Sequence, residues 1–345
     1  MKQGSAVHKV LEEQVHTTVP VKITKKEDSW GLRIWNVIQG LQTLRETGMT
    51  RELEIWGTVD GLVVNGIVDE LSYDCPDREL ERSAEQASTA NLPSEGQATI
   101  TDFLSPSGTL EGNGAAILSD FRSKTQKAER KVYITDVKTR GIKALPQRST
   151  FRPTLLQLMV YHRLLSELAA GQVGAEPIFE RFDLDLDTSF TDEFIAQIGS
   201  LDERLDNASQ LTAGEASSPP STQDSLTVLL QHNSLRSLWA LMLRDFAETF
   251  PRGARSLGKV LKTEYRDPVH GEIMGVKTFL YDDRTVTGYL ADEMRWWRGE
   301  RAPQGVCIEE AFKCGSCEFS DECSWRKNKI EDAVLKTRER KRSSI

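Results

Sequence analysis

Asp136 and Lys138 are the two residues whose types and spacing most directly suggest chemistry. They lie in residues 132–138, an apolar run that predicts a buried strand. Because successive side chains of a strand point to opposite faces, these two should share one face. A carboxylate there can bind a divalent cation, and the lysine can stabilise charge on a nucleophilic water or on phosphate oxygens. Alone, this spacing is a weak signal, because a solvated strand face gives the same pattern.

Asp69 supplies a second carboxylate, within the apolar run of residues 66–71. Two carboxylates from neighbouring strands suit magnesium, a hard cation that prefers oxygen ligands and keeps several of its waters. The alternative interpretation of Asp69 is a turn residue at the end of a strand. Asp60 competes for the same role, but Gly61 beside it indicates a turn, so we favour Asp69.

Three further polar side chains lie on predicted helices. Gln157 and Tyr161 are four residues apart in a helix predicted over residues 154–170, so they share a face and can orient the lysine or a phosphate. His8 lies in a helix predicted over residues 4–16 and can approach a metal ion or a phosphate. Each also has a structural interpretation: an ordinary amphipathic helix with a half-buried tyrosine, and a lone structural histidine.

Five cysteines, most of them near the C-terminus, argue for a metal site in a reducing compartment more than for a disulfide framework. Cys314, Cys317 and Cys323 are spaced to share one centre, and three thiolates need a fourth ligand. Their spacing allows zinc as well as iron–sulfur, and unligated cysteines are the third alternative. Cys307 is the nearest candidate for a fourth ligand and Cys75 a less favoured one, so neither is assigned.

The elements around these residues predict an α/β fold with helices flanking a sheet. Further helices are predicted over residues 29–46, 225–250 and 284–299, and further strands over residues 52–57, 58–64, 66–73, 260–265 and 276–281. Asn65 and Gly66 indicate a hairpin turn between two of these strands. A disordered insertion over residues 74–130 and a polar loop over residues 203–224 interrupt what we interpret as one domain spanning residues 1–345.

The net charge of −8 does not exclude a nucleic acid as partner, because it is unevenly distributed. Residues 175–224 carry a net charge of −10, which leaves +2 for the remaining residues. No apolar run is long enough to span a bilayer, and no secretory signal opens the chain. Residues 294–301 contain two tryptophans and three arginines, which either stack on and bind single-stranded DNA or form a helix core with solvated arginines.

Taken in chain order, four motifs resemble the signature of RecB-family nucleases. They are Gly4-x-x-x-His8, Gly66-x-x-Asp69, Asp136-x-Lys138 and Gln157-x-x-x-Tyr161. Each motif is weak, but the ordered set is specific. With residues 67–71, residues 136–140 and the cysteine-rich end, the chain resembles the eukaryotic exonuclease V family, in a version close to the fungal members. The resemblance covers most of the chain except the two polar insertions.

The resemblance implies a restriction-endonuclease-like α/β core that degrades single-stranded DNA with Mg2+ in DNA maintenance or repair. Asp69 and Asp136 would bind the metal, and Lys138 would be the catalytic lysine. Three further residues would belong to the helix motifs: Gln157, Tyr161 and His8. The chain departs from the family in having Asp136 where Glu is usual, and in the long insertion between the two metal-binding aspartates.

The resemblance also implies a [4Fe-4S] cluster, bound in residues 300–326 by Cys314, Cys317, Cys323 and a cysteine upstream of the His8 motif. The sequence starts too late to contain that upstream cysteine, so we expect either a truncated start or a substituted ligand. Single-stranded DNA is the expected partner, with a single-strand-binding protein as a candidate, and the chain is expected to be a mitochondrial monomer, with the nucleus as the alternative. The rival interpretations are a non-catalytic nucleic-acid-binding protein on a nuclease-like core and a zinc-binding adaptor.

Overall fold

A computed structural model describes residues 7, 11, 23–90, 130–199 and 225–342. The chain divides into two compact units. The first, called the sheet unit below, comprises Met1–Lys143 and Leu158–Tyr281, and the second, the cysteine unit, comprises Ala144–Gln157 and Asp282–Ile345. The single domain suggested by the sequence stays a prediction, and the predicted cluster segment falls within the cysteine unit.

A mixed five-stranded sheet forms the centre of the sheet unit. Its strands, in their order across the sheet, are β1 (Met49–Val59), β2 (Leu62–Ser72), β3 (Val132–Thr139), β4 (Leu257–Arg266) and β5 (Ile273–Leu280). Only the β3–β4 pair of this sheet is parallel, and the other three pairs are antiparallel. The predicted α/β class, with a mixed central sheet flanked by helices, is confirmed.

Apart from Val7 and Leu11, which are also helical, the described part of the chain contains nine α-helices. They are α1 (Lys26–Thr47), α2 (Arg78–Ala90), α3 (Arg148–Ala169), α4 (Ala175–Arg181), α5 (residues 192–199), α6 (Ser225–Gln231), α7 (Leu235–Thr249), α8 (Asp283–Trp297) and α9 (Ser324–Arg342). Helix α1 packs against β1 and α7, and Trp56 of β1 contacts Trp30 and Trp239 from those two helices. Gly48 ends α1 in the left-handed conformation that favours glycine. No helix of the described residues is long and apolar enough to cross a membrane.

The hairpin prediction at Asn65 and Gly66 is wrong. The turn lies at Asp60 and Gly61, whose φ angles of 55° and 79° suit a two-residue hairpin, and β2 runs unbroken through the predicted turn. Both dipeptides carry the same local signal, so the choice between them rests on tertiary contacts. Gly66 is a glycine because the ring of Tyr161 packs where its Cβ would be.

The predicted disordered insertion begins with an ordered helix, which corrects its first part. Glu81 of α2 is buried, and its carboxylate accepts hydrogen bonds of 3.1 Å from the backbone amides of Lys259 and Val260. Lys131 pairs with the same carboxylate at 2.7 Å, so α2 is anchored to the start of β4. The rest of that insertion and the predicted loop over residues 203–224 lie outside the described residues.

The single helix predicted over residues 225–250 is two helices, α6 and α7. Ser234 separates them, because its side chain accepts a hydrogen bond from the backbone amide of Ser237 and so caps the start of α7. The predicted strand over residues 58–64 is likewise divided between the end of β1 and the start of β2.

Candidate active site

The end of the β2–β3 ladder brings Asp69 to β3. The two strands pair from Ser72 opposite Tyr133 to Glu70 opposite Thr135, and the pairing ends there. Asp69 is the next residue of β2, and its Oδ2 accepts a hydrogen bond of 2.6 Å from the backbone amide of Val137. A side chain thus replaces the missing backbone acceptor, and the Asp69 carboxylate lies against the peptide that links Val137 to Asp136.

Asp136 and Lys138 form an ion pair on one face of β3. Lys138 Nζ donates a hydrogen bond of 2.6 Å to Asp136 Oδ1. The aspartate side chain is 2% exposed, whereas that of the lysine is 35% exposed, so the ammonium group is the more accessible partner. The alternation of side chains that predicted this shared face is therefore present in the structure.

The electrostatic surroundings keep Lys138 protonated. Burial by itself would lower the pKa of Lys138, but the Asp136 carboxylate, then Asp69 and the Tyr161 hydroxyl, offset the effect and raise the pKa above its ordinary value. The lysine is therefore a cation at neutral pH, suited to stabilising negative charge and unsuited to accepting a proton.

Helix α3 packs over two glycines of the β1–β2 hairpin and brings Tyr161 close to Lys138. A Cβ at Gly66 would overlap the Tyr161 ring, and a Cβ at Gly57 would lie 2.6 Å from Leu164 Cδ2. Both glycines therefore allow α3 to pack closely on the hairpin. A glycine inside a strand is the sequence signal for such a close approach, and here the hairpin interpretation obscured it.

The remaining predicted site residues are placed less fully. Gln157 precedes Tyr161 by one turn of α3 and belongs to the cysteine unit, so its part in the site stays a prediction. His8 lies outside the described residues. Asp60 lies in the β1–β2 turn, as its glycine neighbour indicated.

Arg140 is a further charged residue next to this site, and no sequence motif marked it. It follows Lys138 by two positions, and its backbone amide donates a hydrogen bond of 2.9 Å to the carbonyl of Arg266, which continues the β3–β4 ladder. The alternation of β3 therefore directs it to the face of Asp136 and Lys138. Its Nε is buried and has no hydrogen-bond partner among the described residues. The only sequence signal was the same two-residue spacing, continued past the end of the predicted strand.

The donor chemistry of this site fits magnesium. In the described part of the chain, no three side chains of His, Cys, Asp or Glu come close enough to bind a metal ion together. Magnesium needs fewer protein ligands than that, because it is commonly bound by one or two carboxylates together with waters and substrate phosphates. Asp69 and Asp136 supply two such carboxylates: Asp136 is a residue of β3, and Asp69 accepts a hydrogen bond from the backbone of β3.

The cysteine unit carries its three C-terminal cysteines on a short 3-10 helix (Ile308–Ser316) and the turn that follows. The backbone amide of Cys317 donates to the carbonyl of Cys314 at 3.4 Å, and Cys323 directly precedes α9. Cys317 is exposed and the other two are half-buried. All three thiols are free and suit a metal–thiolate centre, but they do not converge on one point in the described chain.

The two candidates for a fourth ligand differ in position. Cys307 is exposed, immediately before the 3-10 helix of the cysteine unit. Cys75 lies in the sheet unit. Burial raises the pKa of the Tyr133 hydroxyl above its ordinary value, and a side-chain hydrogen bond with Cys75 raises it further. Cys75 thus already has a partner within the sheet unit.

The aromatic and basic run at the end of α8 is exposed. Trp297 is 71% and Trp296 is 42% exposed, so the interpretation of these rings as helix core is wrong. The Arg301 guanidinium lies 5.4 Å from the Trp296 ring centre, and its Nε donates to the carbonyl of Asp292 at 3.2 Å. Trp297 is the more exposed of the two rings, and exposed aromatic rings are the groups on which bases stack.

Comparisons with known proteins agree on one family. A family model described as "Exonuclease V - a 5' deoxyribonuclease" matches residues 1–326. "Exonuclease V" of the zebrafish Danio rerio is 22% identical over 331 residues, which cover 95% of this chain and 62% of the relative. "Exonuclease V, mitochondrial" of the fungus Eremothecium gossypii is 24% identical over 395 residues, which cover 96% of this chain and 71% of the relative. This chain, which spans less than two thirds of the zebrafish relative's length, belongs to the exonuclease V family.

Proposed function

We propose that this protein is a metal-dependent exonuclease that hydrolyses the phosphodiester bonds of single-stranded DNA in DNA maintenance. The observation that carries the proposal is the Asp69–Val137 hydrogen bond beside the Asp136–Lys138 ion pair. Together these two contacts place two carboxylates and an ammonium group on neighbouring strands. Cation-assisted attack on a phosphate requires this set of groups.

Asp69 and Asp136 would bind the divalent cation. A cation bound there would supply Lewis-acid activation of a water and of the phosphate oxygens. Lys138 remains protonated and stabilises the negative charge that develops on the phosphate oxygens. Asp136 would keep the charge of the glutamate that is usual in the family, on a side chain one methylene shorter.

Tyr161, Gln157 and Arg140 would orient these groups and the DNA. Tyr161 lies close enough to Lys138 to influence its pKa, so its hydroxyl is suited to positioning the ammonium group. Arg140 offers a guanidinium group for a second phosphate along the strand. Gln157 and His8 complete the proposed site on the strength of the family motifs alone.

We further propose that the cysteine unit binds a [4Fe-4S] cluster through Cys314, Cys317 and Cys323. Three free thiols on one short segment support this assignment. The fourth ligand is not assigned.

Substrate polarity and location are proposed from the names of the relatives. The matching family is described as a 5' deoxyribonuclease, so we propose digestion from the 5′ end. One relative is named mitochondrial, and we propose that location for this chain, with the nucleus as the alternative. A monomer acting on single-stranded DNA, with a single-strand-binding protein as a candidate partner, completes the proposal.

The test is a cleavage assay on short DNA strands labelled at the 5′ or the 3′ end. In Mg2+, the 5′ label should be released early from single-stranded DNA, while a blunt duplex is left intact. EDTA should stop the reaction, and added Mg2+ should restore it. Binding of single-stranded DNA without cleavage in Mg2+ would instead support the non-catalytic alternative.

A further inference from the structure

A buried hydroxyl lies next to Asp136 on the neighbouring strand. Thr263 of β4 is the register partner of Asp136 in the parallel β3–β4 pair, and its exposed fraction is 0%. Paired residues of adjacent strands project from the same face of a sheet. The Thr263 side chain therefore lies on the face that carries Asp136 and Lys138.

The Thr263 hydroxyl has no hydrogen-bond partner among the described residues. A buried polar group that lacks a partner is destabilising, and in native proteins such a group commonly binds a water or an ion. Valine has the same branched shape and would fill this strand position without that penalty. The hydroxyl at this position therefore suggests a ligand.

A cation-bound water beside Asp136 would satisfy this hydroxyl. Magnesium keeps several of its waters when protein carboxylates bind it, and those waters donate hydrogen bonds. A threonine oxygen has two lone pairs with which to accept them. The sheet register puts this acceptor beside one of the two proposed cation ligands and on the same face.

We propose that Thr263 is a positioning residue of the cation site, and that its hydroxyl binds a cation-bound water beside Asp136. The inference rests on the proposed function, because it requires a divalent cation at Asp69 and Asp136. Loss of the hydroxyl should weaken cation binding while the fold remains intact. Outer groups of this kind typically change metal affinity by about 10- to 100-fold.

Calorimetric titration of the full chain with Mn2+, in the absence of DNA, tests this inference without relying on cleavage. Thr263→Val should weaken Mn2+ binding about tenfold, whereas Thr263→Ser, which keeps the hydroxyl, should bind much as the wild type does. Thr135→Val is the matched control, because it makes the same change in a buried residue on the opposite face of β3. In EDTA, Thr263→Val should melt at the wild-type temperature or above it, since it removes a buried hydroxyl that has no partner.

Asp136→Asn separates failure of this inference from failure of the proposed function. If Asp136→Asn abolishes Mn2+ binding while Thr263→Val binds Mn2+ as tightly as the wild type, Thr263 has no part in the site and the inference is overturned. If the wild type itself does not bind Mn2+, the proposed cation site fails, and the inference fails with it. Should Thr263→Val not fold, Thr263→Ala removes the same hydroxyl and provides the same test.

Discussion

The sheet site and the cysteine segment carry the two proposed metal centres, and they differ in the elements that hold their ligands. At the sheet site, strand pairing places Asp69 at the Val137 amide and Asp136 beside Lys138. In the cysteine segment the three thiols are near in sequence but do not converge in the described chain. Backbone hydrogen bonds can fix side chains on neighbouring strands, whereas turn-borne cysteines depend on the metal that binds them.

Loss of Lys138 tests the sheet site most severely. We expect Lys138→Ala to reduce the cleavage rate by about 10²- to 10³-fold, because it removes the ammonium group that lies beside Asp136. DNA affinity measured in Ca2+ should remain near that of the wild type. Single-turnover cleavage and fluorescence anisotropy measure the two effects. Lys143→Ala, which removes an exposed lysine a few residues away, is the control and should cleave normally.

Loss of one cysteine tests the other side of the comparison. We expect Cys317→Ser to remove the visible absorbance of the proposed cluster and to speed amide exchange in residues 300–326 by about tenfold or more, because the metal would supply most of the local stability. Exchange in β3 should not change. Hydrogen exchange followed by mass spectrometry resolves both regions. Equal protection of residues 300–326 in wild type and variant would show that the segment folds without its metal.

The close approach of α3 to the hairpin predicts a cost for a single methyl group. Gly66→Ala forces its Cβ against the Tyr161 ring, so we expect it to lose about 1–3 kcal/mol of unfolding free energy, as overpacked sites do. Cleavage should fall with it, because the ring lies near Lys138. Gly141→Ala is the matched control, since nothing lies within 4 Å of its added Cβ. Chemical denaturation of the three proteins measures the difference, and equal stability would contradict the packing described here.

Arg140 should affect binding more than chemistry. We expect Arg140→Ala to weaken single-stranded DNA binding by about tenfold and to reduce the salt dependence of log Kd by about one, as the loss of one phosphate contact does. Anisotropy titrations at several salt concentrations measure both quantities. Arg82→Ala, on the exposed surface of α2, is the control. An unchanged salt dependence would place Arg140 outside the DNA path.

The smallest expected effect concerns pH. The pKa of Lys138 in the folded protein is raised above the ordinary value of 10.5. Its ion pair therefore stabilises the fold at pH values below 10.5, and this stabilisation is lost as the pH rises through the folded pKa. The contribution is modest, since the side chain is 35% exposed. The difference in unfolding free energy between the wild type and Lys138→Met should stay constant up to about pH 10 and shrink above it. A loss already at neutral pH would contradict the sign of the shift.

Most of the sheet site could be predicted from the sequence, because it depends on local periodicity. The two-residue spacing of Asp136 and Lys138 needs only the alternation of a strand, and the apolar run before Asp69 marks a second strand. The position of the hairpin could not be predicted, because Asn65-Gly66 and Asp60-Gly61 carry equal turn signals. Only the packing of Tyr161 on Gly66 distinguishes them.

Thr263 and Arg140 remained hidden for a different reason. Thr263 becomes a candidate only when the register between β3 and β4 is known, and these strands are far apart in the chain. Arg140 lies just beyond the predicted strand, and its direction depends on the ladder that continues to Arg266. Local patterns do not encode non-local register, so residues defined by register are found only from the fold.

The most direct test of the central claim is an anomalous difference map from crystals of the protein soaked in Mn2+. We predict one Mn2+ peak within coordination distance of carboxylate oxygens from both Asp69 and Asp136, roughly 2.0–2.3 Å away, with Lys138 alongside. A well-ordered sheet without such a peak, or with Mn2+ bound only elsewhere on the chain, would contradict the assignment of this site.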